Sequence, residues 1–380
     1  MHESLRTVPG ISPGVGHCLT TIPMRAGDPC LCGPDWEYLR NHALSLDMSG
    51  SPGVRCLLVG HRGRIERIAL VFHHAIMDGR GAVALMGDLL RLTLGVPAKY
   101  GPQPFASAFE PVVSNERVRA ASRRWMQEMH AIQRSVRLPL SPDDTAPCLP
   151  TIQSITLGTG SHTKLRAESQ ALGVSTHAML SGHALLALRD AMGVGDVSVA
   201  LSHAVDMRRF EATPPVLACR AGLLLGRHRI SNNDCPSTVA VDVHTQVQAG
   251  LDCAFPAWLL NVLPWLGQAG DHAADVDAAR LAMASAPSYL VISDLGAVDR
   301  EWHGICDAVT QTGLTVQPLP GQLAVLTRID LAGRSHLQLH TRHAAGAGAI
   351  LHHFARGLTE RLNAHGRLAS GLPKSCLETA

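Results

Sequence analysis

Apolar positions along the chain alternate between short continuous runs and longer stretches with a helical repeat. The run Ile65–Phe72, I-E-R-I-A-L-V-F, is β-prone, and its continuously apolar second half predicts a strand buried on both faces. A helix is predicted from Gly81 to Leu94, with Ala82, Leu85, Met86, Leu89 and Leu92 as its apolar stripe and Gly95 and Pro97 as its end. A second helix, with polar and arginine-rich faces, is predicted from Ser114 to Ile132. Upstream, residues 11–53 are rich in Gly, Pro and Cys and offer one short helix candidate, Trp36–Leu46. The segment Leu138–Pro150 carries four prolines and no helical period, so it reads as a linker.

Beyond the linker come a predicted strand at Ile152–Leu157 and a helix over His162–Ala171. Ser175 is placed to N-cap a helix that runs to Met192 and closes at Gly193. That helix is apolar nearly all round, through Met179, Leu180, Leu185, Leu186 and Leu188, so it is expected to be central and buried. Further strands are predicted at Val197–Leu201, Tyr289–Ile292, Gly313–Val316, Leu323–Asp330 and His336–Thr341, with a last helix over Ala347–Leu362. Alternating strands and helices predict an α/β (α+β) architecture in two lobes, residues 1–150 and 151–380. No internal repeat or low-complexity tract interrupts this order.

Composition narrows the function classes. With 380 residues, 46% apolar and 17% charged, the chain is long and apolar enough to bury a sizeable core. A formal net charge of +2 supplies no basic field for nucleic acid. Of the 33 basic residues only Lys99, Lys164 and Lys374 are lysine, leaving 30 arginines, a bias expected of genome composition. The ten cysteines are scattered; Cys30 and Cys32 form the one close pair, and no zinc-type spacing accompanies them. They are expected to be free thiols of a reducing compartment. The N-terminus has no apolar signal region, and no apolar run reaches the roughly 18 residues of a membrane span. A cytoplasmic protein without a membrane span is the expectation.

The chemistry concentrates where the Ile65–Phe72 run meets the next helix, at His73-His74-Ala75-Ile76-Met77-Asp78-Gly79. An imidazole with an ordinary pKa near ~6.5 is largely neutral at physiological pH and can take a proton from a hydroxyl or amine attacking a carbonyl. Asp78 is placed to accept hydrogen bonds or pair with an arginine, Arg25 or Arg55, and so fix the loop. Gly79 would let the backbone turn tightly into the helix. A bare histidine pair is most often packing. The aspartate and glycine at fixed offsets, between strand and helix, favour the catalytic reading. His352-His353 lacks those offsets and reads as surface or packing, and His203 as a strand-end side chain. A metal held by His73, His74 and Asp78 would need further ligands that nothing specifies, so no metal is expected.

These seven residues match the HHxxxDG signature, and the chain resembles the condensation-domain and chloramphenicol-acetyltransferase-like superfamily of thioester-dependent acyltransferases. Val205-Asp206-Met207-Arg208 looks like the V-D-L-R stretch, and Ile292-Ser293-Asp294-Leu295-Gly296 like the S-N-L-G segment, of polyketide-associated and alcohol acyltransferase members. The likeness covers about Asp47 to Leu362. It implies a V-shaped pair of lobes with a tunnel between them, His74 as the catalytic base, and His73, Asp78 and Gly79 as structural support. It makes Ser293 a candidate oxyanion donor or tunnel residue, against a serine that merely ends a strand. Asp206 and Arg208 would brace the lobe interface or form a polar turn. The implied co-substrate is an acyl-coenzyme A or acyl-carrier-protein thioester, the acceptor a small alcohol or amine, and no cofactor is bound. Transfer would be direct, without an acyl-enzyme, in a setting of secondary metabolism or lipid assembly.

Two features depart from the family pattern. Only 72 residues precede His73, so a shortened first lobe is expected, and Asp294 stands where an asparagine is usual. Two alternatives therefore stay open. One is a non-catalytic relative that binds carrier proteins as a scaffold, and the other a condensation-like enzyme repurposed for cyclisation.

Overall fold

The computed structural model describes residues 19–23, 54–61, 64–72, 74, 76–100, 114–133, 151–212, 216–257, 289–316, 318, 322–341 and 348–364. The Trp36–Leu46 helix candidate, the Leu138–Pro150 linker and the Cys30–Cys32 pair lie outside the described residues. The chain divides into two compact units: residues 1–104 with 216–219, and residues 105–215 with 220–380.

In the first unit a three-stranded sheet runs in the order β1 (Leu19–Pro23), β2 (Val54–His61), β3 (Arg64–Phe72). β1 lies parallel to β2, and β2 antiparallel to β3. The sequence reading expected the end of β3 to be buried on both faces. Residues 67–72 are instead half-buried, because β3 is an edge of this sheet. Helix α1 (Gly79–Thr93) follows. Its last turn ends in a Schellman motif: Gly95, at φ +74°, donates to Leu92 O at 3.2 Å and Val96 to Arg91 O at 2.8 Å. Its buried residues are small, Gly81, Ala82, Val83, Ala84 and Gly87, whereas the expected stripe residue Leu92 is exposed.

The second unit is built on a six-stranded mixed sheet. Its strands are β4 (Thr151–Leu157), β5 (Val197–Asp206), β6 (Ala221–Ile230), β7 (Tyr289–Ala297), β8 (Gln322–Leu331) and β9 (Arg334–Thr341). They lie in the order β4-β9-β8-β7-β5-β6, with β5, β7 and β8 mutually parallel and the remaining pairs antiparallel. Every residue of β8 is buried. Among the described residues, its helices are α2 (Asn115–Gln133), α3 (Thr159–Ala171), α4 (Thr176–Met192), α5 (Pro236–Asp252) and α6 (Gly348–Ala364). The sequence boundary at residue 150 differs from this division because α2 packs on β6 and α5: Arg124 donates to Gln246 O at 3.1 Å and lies over the Phe255 ring.

α4 is the core helix its composition predicts. The Ser175 hydroxyl accepts from Ala178 N at 3.1 Å, Gly193 closes the helix at φ +65°, and residues 178–189 are all buried. It packs on both α5 and α6, and their apolar side chains merge with those of β4, β5, β7, β8 and β9 into one core. The predicted strand Gly313–Val316 is irregular instead. There Leu314 O accepts from the Thr327 hydroxyl at 2.9 Å and lies 3.1 Å from His340 Nε2, so side chains take the place of a ladder partner.

Candidate active site

The motif loop is organised by Asp78. Only 3% exposed, its carboxylate accepts from Gly81 N at 2.9 Å and caps α1. Its own backbone N–H donates to Ala218 O at 3.4 Å, tying the loop to the segment 216–219. Glycine is needed two residues later than expected. Gly79 is not among the left-handed glycines, but a Cβ on Gly81 would meet Met77 Cγ at 2.6 Å and Val216 O at 3.3 Å. The cap and the close approach at Gly81 together hold the chain from β3 into α1 against Val216–Ala218.

His74 sits in this turn with an exposed ring. Its Nδ1 lies 3.5 Å from the Cys219 sulfur. That thiol contact is the main reason the imidazole's pKa is raised above its ordinary value; partial burial opposes it, and Asp78 nearby adds to it. His73 and Arg25 lie outside the described residues, and Arg55 is on β2 opposite Val71. Among the described residues no cluster of three metal-ligating side chains occurs, and no single helix is long and apolar enough to cross a membrane.

The other candidates belong to the second unit. Ser293 is in the middle of β7, opposite Thr327 of β8, and not at a strand end. Asp206 and Arg208 pair with each other: Asp206 Oδ1 accepts from Arg208 N and from its Nη1, both at 3.1 Å, capping the short 3-10 helix Met207–Phe210. His352 and His353 are exposed on α6.

A buried polar chain in this unit was not legible in the sequence. His203, expected at a strand end, is inside β5 and 1% exposed. Its Nδ1 is 2.7 Å from His177 Nε2 of α4, and the His177 Nδ1 is 3.8 Å from Asp294. Asp294 accepts from Arg328 Nη1 at 3.1 Å, and Arg328 Nε donates to Asp330 at 2.9 Å. Asp330 accepts from the Ser335 hydroxyl at 2.6 Å, which is 2.9 Å from His162 Nδ1. So the aspartate that departs from the family's asparagine is the counter-charge of a buried arginine. Burial holds His203 well below the ordinary imidazole pKa, with neighbouring His177 and His228 adding to the effect. Burial lowers His177, His162 and His336 as well.

Comparison with known proteins follows this geometry. Residues 146–300 match the family described as "Phthiocerol/phthiodiolone dimycocerosyl transferase C-terminus". Polyketide synthase associated protein 5 from Mycobacterium tuberculosis shares 18% identity at a TM-score of 0.50, over 82% of this chain and 77% of that one. The first condensation domain of the CDA synthetase shares 15% at a TM-score of 0.58, over 90% and 75%. The trichothecene 15-O-acetyltransferase TRI3 from Fusarium sporotrichioides shares 14% at a TM-score of 0.60, over 90% and 76%. The chain has the condensation-domain, chloramphenicol-acetyltransferase-like fold. The resemblance read from the motif is borne out at that level. No curated protein matches the chain by sequence. Within the condensation-like fold, the motif's place between a strand and a helix was legible from spacing, whereas the capping of α1 by Asp78 was not read. Cys219 was not: it is a single cysteine 145 positions from its imidazole, with no local signal.

Proposed function

We propose that this condensation-like protein is an acyltransferase that moves an acyl group from a thioester to an alcohol or amine. His74 is the general base in this reading. It takes the acceptor's proton as the acceptor attacks the thioester carbonyl and returns it to the leaving thiolate, a contribution of roughly 10²- to 10⁴-fold. Asp78 acts through the loop it caps, holding the imidazole in place. The donor is an acyl-coenzyme A or an acyl group on a carrier protein, and no metal takes part.

One observation carries the reading: the His74 ring is exposed at a turn fixed by a buried aspartate cap. A packing histidine would not need that construction. The transferase and acetyltransferase descriptions of similar proteins support it. The test is product mass. Purified protein is incubated with acetyl- and decanoyl-coenzyme A, free and loaded on a carrier protein, and a panel of alcohols and amines. An acylated acceptor with one equivalent of free thiol is the expected result. Thioester left intact under all conditions would favour the scaffold, and a cyclic product the repurposed enzyme.

A further inference from the structure

The segment Val205–Arg208 takes no part in the acid–base chemistry, yet it begins a chain of contacts that ends at the His74 turn. Asp206 caps the 3-10 helix Met207–Phe210, and Met207 and Phe210 sink into an apolar cluster with Leu251, Ala254 and Ala257. Gly222 of β6 leaves room for the Met207 sulfur, which a Cβ there would meet at 2.5 Å. Glu211 ends this helix, its N–H donating to Arg208 O at 3.1 Å, so its side chain leaves from a fixed point. The Glu211 carboxylate accepts from Arg220 Nε at 2.8 Å, with the two side chains only 8% and 6% exposed. Arg220 O in turn accepts from Met207 N at 2.7 Å, one step beyond the Asp206–Ala221 pair of β5 and β6. Arg220 is thus pinned through both its side chain and its backbone.

Arg220 directly follows the segment 216–219, which clusters with the first unit although the residues on both sides of it belong to the second. Within that segment Ala218 O accepts from Asp78 N at 3.4 Å. Val216 O lies where a Cβ on Gly81 would meet it at 3.3 Å, and the Cys219 sulfur is 3.5 Å from His74 Nδ1. The residue that caps α1, a glycine of its first turn and the imidazole itself all bear on the same short piece of chain. Its exit is fixed by Arg220. An exposed pair such as Arg229–Asp196, 81% and 56% exposed, would fix little, because water replaces either partner. With both ends buried, breaking the pair leaves a charge uncompensated.

We propose that Glu211 and Arg220 are positioning residues for His74: their ion pair clamps the segment 216–219, and that segment holds the turn carrying the imidazole. This rests on the reading of His74 as a base. The pair itself makes and breaks no bond to a reactant. Its effect is geometric, since a base must keep its nitrogen within hydrogen-bond reach of the acceptor's proton, and a displacement of about 1 Å can cost roughly 10²-fold. Releasing the clamp also frees the Cys219 sulfur from the ring. That removes the contact that does most to raise the imidazole's pKa, so His74 should then titrate lower.

The experiment replaces the pair in the full chain by apolar side chains, Glu211→Leu together with Arg220→Met, an exchange that buried pairs commonly tolerate. Glu211→Gln, which keeps the shape of the site, is read in the same way and decides the matter should the double variant not fold. His74 is titrated by NMR on ring-labelled histidine, its signal being the one missing from His74→Asn. Transfer is followed with acetyl-coenzyme A and the decanoyl thioester of N-acetylcysteamine as donors. In folded variants the His74 pKa is expected to fall by about 0.5 pH unit, and kcat at least about tenfold with KM changed less than about twofold. An unchanged His74 titration overturns the proposal, as does a shifted titration that leaves kcat at the wild-type value. A lower unfolding midpoint with both readouts unchanged would make the pair structural only, which also overturns it. The base reading fails separately: if His74→Ala transfers at the wild-type rate that reading is lost, whereas the clamp on the turn stands or falls by the titration.

Discussion

At the scale of single residues, the chemistry assigned to His74 depends on what its ring touches. The thiol contact and the Asp78 charge favour the protonated imidazole, so more of the ring is charged near neutral pH than for a free histidine. A general base works only when neutral. Acyl-transfer rate is therefore expected to rise with pH through an apparent pKa above ~6.5, measured as kcat/KM between pH 5.5 and 9. An acid limb centred below that value would contradict the contact. Asp78 was expected to accept hydrogen bonds and fix the loop; that it does so as the N-cap of α1 follows from the helix starting at Gly79, two residues before the expected Gly81. The glycine requirement was read two residues early, at Gly79, because only the packed structure brings Val216 O against Gly81.

At the scale of elements, α4 shows why some segments were legible. Its serine cap, its unbroken apolar surface and its closing glycine agree with one another, and the observed helix has the expected ends. β6 and α5 carried no such agreement. In β6 the glycines at 222 and 226 interrupt the apolar pattern, and both lie against distant side chains: a Cβ at 222 would meet Met207 Sδ at 2.5 Å, and one at 226 would meet Gln246 Oε1 of α5 at 3.0 Å. Such close approaches are tertiary facts. The crossing of α4 and α5 is another, because a Cβ on Gly182 would lie 2.6 Å from Pro236 O. Alanine normally stabilises a helix interior by about 1 kcal/mol over glycine. Here the clash is with backbone that cannot swing away, so Gly182→Ala should destabilise the protein by about 1–3 kcal/mol in urea unfolding. A stabilised variant would mean that the two helices are further apart than described.

On the scale of the whole molecule, the second unit encloses several histidines, three of them, His203, His177 and His162, in one polar chain. His203, His177, His162 and His336 all have folded pKa values below the unfolded value near ~6.5, with burial as the largest cause. Below that pH the unfolded chain binds protons that the folded one does not. Their stability contribution is thus complete above ~6.5 and is lost as pH falls towards the folded values, by at most about 1.4 kcal/mol per pH unit for each group. Urea midpoints should drop clearly between pH 7.5 and 5.5, above the range where carboxylates titrate. A flat profile would show that these rings are hydrated or protonated in the native state. The chain's mixed α/β character was legible from alternating elements, whereas the relay from His203 to Asp330 was hidden, because its members come from three strands and a helix.

One comparison tests the central claim most directly: the initial rate of thiol release from an acyl donor, with acceptor present, for wild type and His74→Ala. A loss of roughly 10²-fold or more in kcat/KM, with the variant's unfolding midpoint unchanged, is the predicted result. Equal rates in the two proteins would contradict the assignment of His74 as the base.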